Sequence, residues 1–142
     1  MKNLLKISLL FLFFTACSED SEEGILCDPG PVMIDLLVLE EGTEVNLIET
    51  GVYSGNQISI EDKEGEAVDY DLSGGKMISV VLGWEGKTDT YTVSLGEEVV
   101  FEIAFTLESS TENSCTVVHL EQLEIIGIAH EPGQAGLYTV YV

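Results

Sequence analysis

Arginine is absent from this sequence, and its five lysines stand against 26 acids, a formal charge of −21 over 142 residues. A surface so poor in cations cannot displace the counterions of a nucleic-acid backbone, which requires clustered lysine or arginine. Nucleic acid is therefore excluded as a partner, and so is a polybasic face for docking on anionic lipid. Long apolar runs are missing too. The run from Ile7 to Phe14, broken by Ser8, is far short of the roughly 20 residues that cross a bilayer as a permanent helix.

Residues for chemistry are equally sparse. His119 and His130 are the only histidines, and no G-x-S-x-G, H-E-x-x-H or C-x-x-C spacing occurs. His119, between Val118 and Leu120 in a predicted strand, reads as a half-exposed or hydrogen-bonded strand histidine. With so many acids, some pair of carboxylates always lies close together, so proximity alone carries no signal for glycoside chemistry. The expectation is a chain with no catalytic residues, no enzymatic activity and no cofactor.

What the N-terminus does contain is ordered. Lys2 and Lys6 precede the short apolar run, the charged and hydrophobic regions of a secretory signal over residues 1–16. Phe14-Thr15-Ala16-Cys17 then resembles a bacterial lipobox, in which small residues precede a cysteine that is lipidated and becomes the first residue after cleavage. Phe14 stands where that pattern usually has leucine. The acids that follow, Glu19, Asp20, Glu22 and Glu23, resemble the export signal of surface lipoproteins of the Bacteroidetes, and read physically as a solvated tether. The chain as a whole resembles the small lipoproteins of that group: lipobox, acidic tether, cysteine, then one β-domain.

This resemblance implies lipidation at Cys17, a tether over residues 17–30 and a noncatalytic domain over 31–142. It also implies an outer-membrane location, lipid-anchored and surface-exposed, with the periplasmic face as the alternative. Loss of Lys2 and Lys6 with the signal takes two positive charges from −21 and leaves −23, with Lys63, Lys76 and Lys87 as the remaining bases. Any membrane association then comes from the N-terminal lipid. With Cys17 so used, Cys27 and Cys115 remain as an even pair in an oxidising compartment, which predicts a disulfide; two buried free thiols are the alternative.

From Pro31 onward the apolar period is two. Val32, Ile34, Leu36 and Val38 alternate with Met33, Asp35, Leu37 and Leu39, a first strand with both faces fairly apolar. Clean alternation follows in Gln57 to Glu61, Thr90 to Leu95 and Val99 to Glu108, with a hairpin expected at Gly96-Glu97-Glu98. Cys115 to Ile128 is too irregular for one simple strand and predicts a bulge or a crossing between sheets. A last strand runs from Leu137 to Val142, with Tyr138, Val140 and Val142 on one face. Leu123, Ile125, Ile126 and Ile128 join the Phe101, Ile103 and Phe105 row as the expected core.

Turn signals about every ten residues make this an all-β chain of about eight strands, an antiparallel two-sheet sandwich of immunoglobulin-like or transthyretin-like type. A small barrel is the alternative.

Two candidate sites follow. Trp84, in the Gly83-Trp84-Glu85-Gly86-Lys87 turn, together with Tyr53, Tyr70 or Tyr91 is a candidate platform for a sugar ring or an apolar segment; the plainer reading is a tryptophan capping the core. Asp62, Glu64, Glu66, Asp69 and Asp71 gather around Gly65 and are candidate calcium ligands, although they miss the EF-hand spacing; the plainer reading is a solvated hairpin tip. The function expected is a noncatalytic envelope module that binds a partner protein or glycan. The alternative is a structural subunit of an envelope complex with no soluble ligand.

Overall fold

A computed structural model describes residues 27–142. Nine strands form two sheets packed as a sandwich, not a closed barrel. They are β1 (Val32–Leu39), β2 (Ile58–Glu61), β3 (Tyr70–Ser73), β4 (Met77–Gly83), β5 (Lys87–Leu95), β6 (Val99–Glu112), β7 (Cys115–Ile126), β8 (Ala129–Pro132) and β9 (Leu137–Tyr141). Five strands in the order β3-β4-β1-β9-β8 make one sheet, and four in the order β2-β5-β6-β7 make the other. Pairing is antiparallel except between β1 and β9, where Leu36 pairs with Tyr138 and Val38 with Val140 in parallel register.

Alternation decides which side chains go inside. Ile34, Leu36 and Val38 of β1, Ile78, Val80 and Leu82 of β4, Tyr91, Val93 and Leu95 of β5, and Phe101, Ile103, Phe105 and Leu107 of β6 fill the space between the sheets. Each such side chain contributes about 1.5–3 kcal/mol by leaving water, before chain entropy is charged against it. Of the core expected in the seventh strand, Ile125 is buried and Leu123 and Ile128 pack partly against it. Ile126 does not join them: it follows Ile125 directly, so the pleat turns it out to solvent, 42% exposed.

The irregularity after Cys115 is a bulge. Thr106 pairs with Gln122 and Leu107 with Leu120, leaving Glu121 as the extra residue on β7. The strand stays in one sheet throughout, and the crossing comes afterwards, at Gly127 (φ 91°), before β8 joins the other sheet. The 96–98 hairpin forms as expected, with Leu95 paired to Val99.

The predicted disulfide is present. Cys27 and Cys115 are bonded with a Cα–Cα separation of 5.4 Å and 88 positions between them. Cys115 opposes Glu112 at the tip of the long β6–β7 hairpin, closed by Asn113 and Ser114, both with positive φ, as a two-residue hairpin turn requires. The bond thus ties the chain just ahead of β1 to one end of the sandwich. The β4–β5 turn lies at that same end, because Val32 pairs with Gly83 and Lys87 with Leu107. The β5–β6 turn and the end of β1 lie at the other.

Candidate functional site

The aromatic platform does not assemble. Trp84 is 60% exposed in the β4–β5 turn. Tyr53 lies at the opposite end, half-buried beside Gly96, whose Cβ position is 3.5 Å from the tyrosine ring. Nine residues of β5 separate the two ends, about 30 Å of extended chain.

Tyr91 is inside the core, only 4% exposed. Its hydroxyl donates to the Leu82 carbonyl at 2.9 Å and accepts from Lys87 Nζ at 3.0 Å, while its ring meets Phe105 edge-on at 4.8 Å. Strand alternation puts Tyr91 on the inner face with Val93 and Leu95, so it has no surface to offer a ligand. Tyr70 is also committed, its hydroxyl lying 2.8 Å from the Gly55 carbonyl and 3.1 Å from that of Ile58.

The acidic cluster divides between the sheets. Asp62 Oδ1 accepts the backbone amides of Glu64 and Glu66, each at 2.9 Å, and closes the turn around Gly65. Asp71 instead stands on β3 opposite Ser79, in the other sheet, with Asp69 just ahead of that strand. Among the described residues no three His, Cys, Asp or Glu side chains gather closely enough to hold a metal. Asp62 is thus engaged in capping a turn, and Asp71 belongs to a strand of the other sheet.

The histidines are apart as well. His119 is on β7 with Nε2 3.9 Å from Glu108 Oε2, whereas His130 is on β8 in the other sheet, its Nδ1 3.2 Å from the Ile128 carbonyl. Glu121, on the β7 bulge, has its carboxyl raised above the ordinary range by the charge and hydrogen bond of Glu108. Glu108, His119 and Glu121 are all exposed at the surface.

One polar network is built into the structure. Asp89, its side chain only 10% exposed, takes Lys87 at 3.3 Å and Lys63 at 3.6 Å, and accepts the Thr90 amide at 2.9 Å. Burial opposes its ionisation, but the Thr90 amide and the two lysines outweigh it and hold the carboxyl below its usual range. Burial likewise opposes the charge on Lys87, and Tyr91 and Asp89 outweigh it and raise its pKa. The ammonium lies 5.2 Å from the Tyr91 ring centre and 5.4 Å from that of Phe105. This network closes one end of the core, and Asp89 also lines a shallow depression of about 190 Å³ with Thr88, Thr90, Thr106, Gln122 and Glu124.

The surface feature that the sequence reading did not single out as a site is the outer face of the five-stranded sheet. Strand parity places Met33, Leu37 and Leu39 of β1, Met77 and Val81 of β4, and Leu137 and Tyr141 of β9 on that face. Met33 is 44% exposed, and the others are half-buried without belonging to the core or to the residues packed against it. The four-stranded sheet packs on the opposite side, against the inner set of side chains.

At the centre, Ser79 donates to the Asp35 carboxylate on the facing strand. Acids mark the border: Asp71 on β3, Glu131 on β8, which accepts the Tyr141 hydroxyl at 3.1 Å, and Glu44 beyond it. Glu131's hydrogen bond and the nearby Glu44 charge raise the Tyr141 hydroxyl pKa. Lys76, at the edge, is paired with Glu49 at 2.7 Å. The signal for this face was present in β1, whose two alternating sets were both apolar.

The fold and this face define the molecule as an all-β sandwich with one uncovered apolar sheet surface. No protein-family model matches the chain, no curated protein matches it in sequence, and no solved structure matches it. Among the described residues no helix is long and apolar enough to cross a membrane.

Proposed function

We propose that this protein is a lipid-anchored, noncatalytic envelope lipoprotein that binds a partner protein through the outer face of its five-stranded sheet. The observation that carries the binding reading is that face: seven large apolar side chains on three adjacent strands, uncovered and bordered by acid. Contiguous apolar surface of this kind marks interaction sites. A partner whose contact surface has an apolar centre and a basic rim complements it in both respects. A glycan is less well served, because the aromatic rings expected to stack on a sugar stand at opposite ends or in the core. The anchor reading rests on the order of residues at Phe14-Thr15-Ala16-Cys17 and on the acids behind it, all outside the described residues.

The test is recovery of partners from the native envelope with the lipidated chain, compared between three forms: unchanged, Leu37→Lys with Val81→Lys, and Thr90→Lys on the other sheet's outer face. One stoichiometric protein recovered by the first and third forms, but not the second, supports the reading. Equal recovery by all three removes it. Cys17→Ser should release a folded domain to the soluble fraction, and retention of that variant in the membrane would defeat the anchor. Protease digestion of intact cells distinguishes surface display from the periplasmic face.

A further inference from the structure

The disulfide fixes Cys27 at one end of the sandwich, and the same end carries Trp84, the most exposed large apolar side chain among the described residues. Cys27 is fixed to the β6–β7 hairpin tip. From Cys17 to Cys27 there are ten positions, a reach of at most about 35 Å. At this end Trp84 is 60% exposed and Met33 44% exposed.

The turn that carries Trp84 is held rigidly. The Gly86 amide donates to Ser109 Oγ at 3.0 Å, and a Cβ at Gly86 would stand 3.0 Å from that oxygen and 3.3 Å from the Leu107 carbonyl. Gly83, at φ 148°, lies under the Lys87 stem, with its Cβ position 3.1 Å from Cε. Both glycines let the turn press against β6, and the indole between them is directed away from the core. Its ring makes no hydrogen bond or ring contact with the described residues.

We infer that the domain sits end-on at the bilayer, with Trp84 in the lipid interface and the hairpin tip beside it. This rests on the lipid-anchor reading of Cys17. An indole combines a large apolar ring with a polar N–H, and tryptophan concentrates at membrane interfaces for that reason. Glu85, the next residue, keeps the turn at headgroup depth, since a carboxylate is expelled from the hydrocarbon. The apolar sheet face then stands along the bilayer normal and is accessible from the side. Val52, 52% exposed near Tyr53, marks the far end.

Trp84 is the chain's single tryptophan, so its emission reports this contact without a label. The full lipidated chain is reconstituted in vesicles of phosphatidylethanolamine and phosphatidylcholine, with a fraction of the lipids brominated at a shallow or a deep acyl position. The expected result is a shift of emission to shorter wavelength with stronger quenching by the shallow bromine. Neither change is expected for Cys17→Ser mixed with the same vesicles. In a Trp84→Phe, Val52→Trp chain the moved probe should remain unquenched.

Flotation of the lipidated chain with vesicles but unchanged Trp84 emission overturns the end-on contact and leaves the anchor standing. Quenching at Val52 equal to that at Trp84 also overturns it. Failure of the chain to float with vesicles overturns both anchor and contact.

Discussion

The two outer faces of this sandwich differ in kind although both are built from strands of period two. On the four-stranded sheet, β5 turns Thr88, Thr90, Thr92 and Ser94 outward, β6 adds Glu102 and Thr106, and Thr88 and Thr106 share a hydrogen bond at 3.1 Å. The shallow depression of about 190 Å³ there is lined by three threonines, Gln122 and Glu124, together with Asp89, Ala104 and Phe105. This surface is mainly polar, with Val100 and Ile126, 56% and 42% exposed, as its apolar members. The five-stranded sheet offers Met33, Leu37, Leu39, Val81 and Leu137 at the corresponding positions. Antiparallel sheets commonly have one solvated face, and the apolar outer face of this one is the feature on which the proposed binding rests. The difference separates what the fold requires from what the fold alone leaves unexplained.

The largest effect should come from a change that treats both faces alike. Replacing Cys27 and Cys115 with serine opens a loop of 88 positions, which the chain-entropy model values at about 4–5 kcal/mol. Chemical denaturation should show a lower midpoint and a steeper slope, because the unfolded chain without the crosslink is less compact. Partner capture per folded molecule should hold, because neither face contains the disulfide. Loss of capture by the fully folded variant would mean that the hairpin end, and not the sheet face, makes the contact.

The comparison itself is tested next. Leu37→Lys or Val81→Lys should weaken binding about 30-fold or more, as expected for a residue near the centre of an interface. Stability should change by about 1 kcal/mol or less, since neither side chain belongs to the core or packs against it. Thr90→Lys should change neither. Raised salt should weaken binding by the unchanged chain if its acidic border faces basic groups. If Thr90→Lys reduces binding as strongly as Leu37→Lys, the two faces are not distinct in function.

Legibility in the sequence followed the same division. The sandwich could be read because alternation and glycine-bearing turns act locally: Phe101, Ile103 and Phe105 are buried for the same reason that Glu102 and Ala104 are not. The disulfide followed from counting cysteines. The apolar outer face was visible in β1 alone, but its extent was not, because Val81 and Leu137 join Leu37 only through sheet order. That order brings β9 into parallel contact with β1, a pairing across about a hundred positions that no local pattern encodes. Trp84 and Tyr91 were grouped as neighbours in sequence, and the β5 pleat separated them by turning Tyr91 inward.

The smallest of these effects concerns the network that occupies two of the three lysines in the described residues. Asp89→Asn should destabilise the fold by about 1–2 kcal/mol, between an exposed pair and a buried one, since Lys87 keeps 37% of its side chain in solvent. The sign of its pH dependence follows from the depressed carboxyl of Asp89. That contribution is complete above the unfolded value, near about 4, and is lost as pH falls through the lower folded value.

Lys87, raised in the folded chain, contributes fully below its unfolded value, about 10.4, and loses that contribution as pH rises through the folded one. Melting curves of wild type and Asp89→Asn should therefore differ by a constant amount across neutral pH and converge in strong acid. Partner capture should be unaffected, because Asp89 lies under the four-stranded sheet and the interface is assigned to the other. A weakened capture at unchanged fold would place binding energy at the closed end of the core and erase the contrast between the faces.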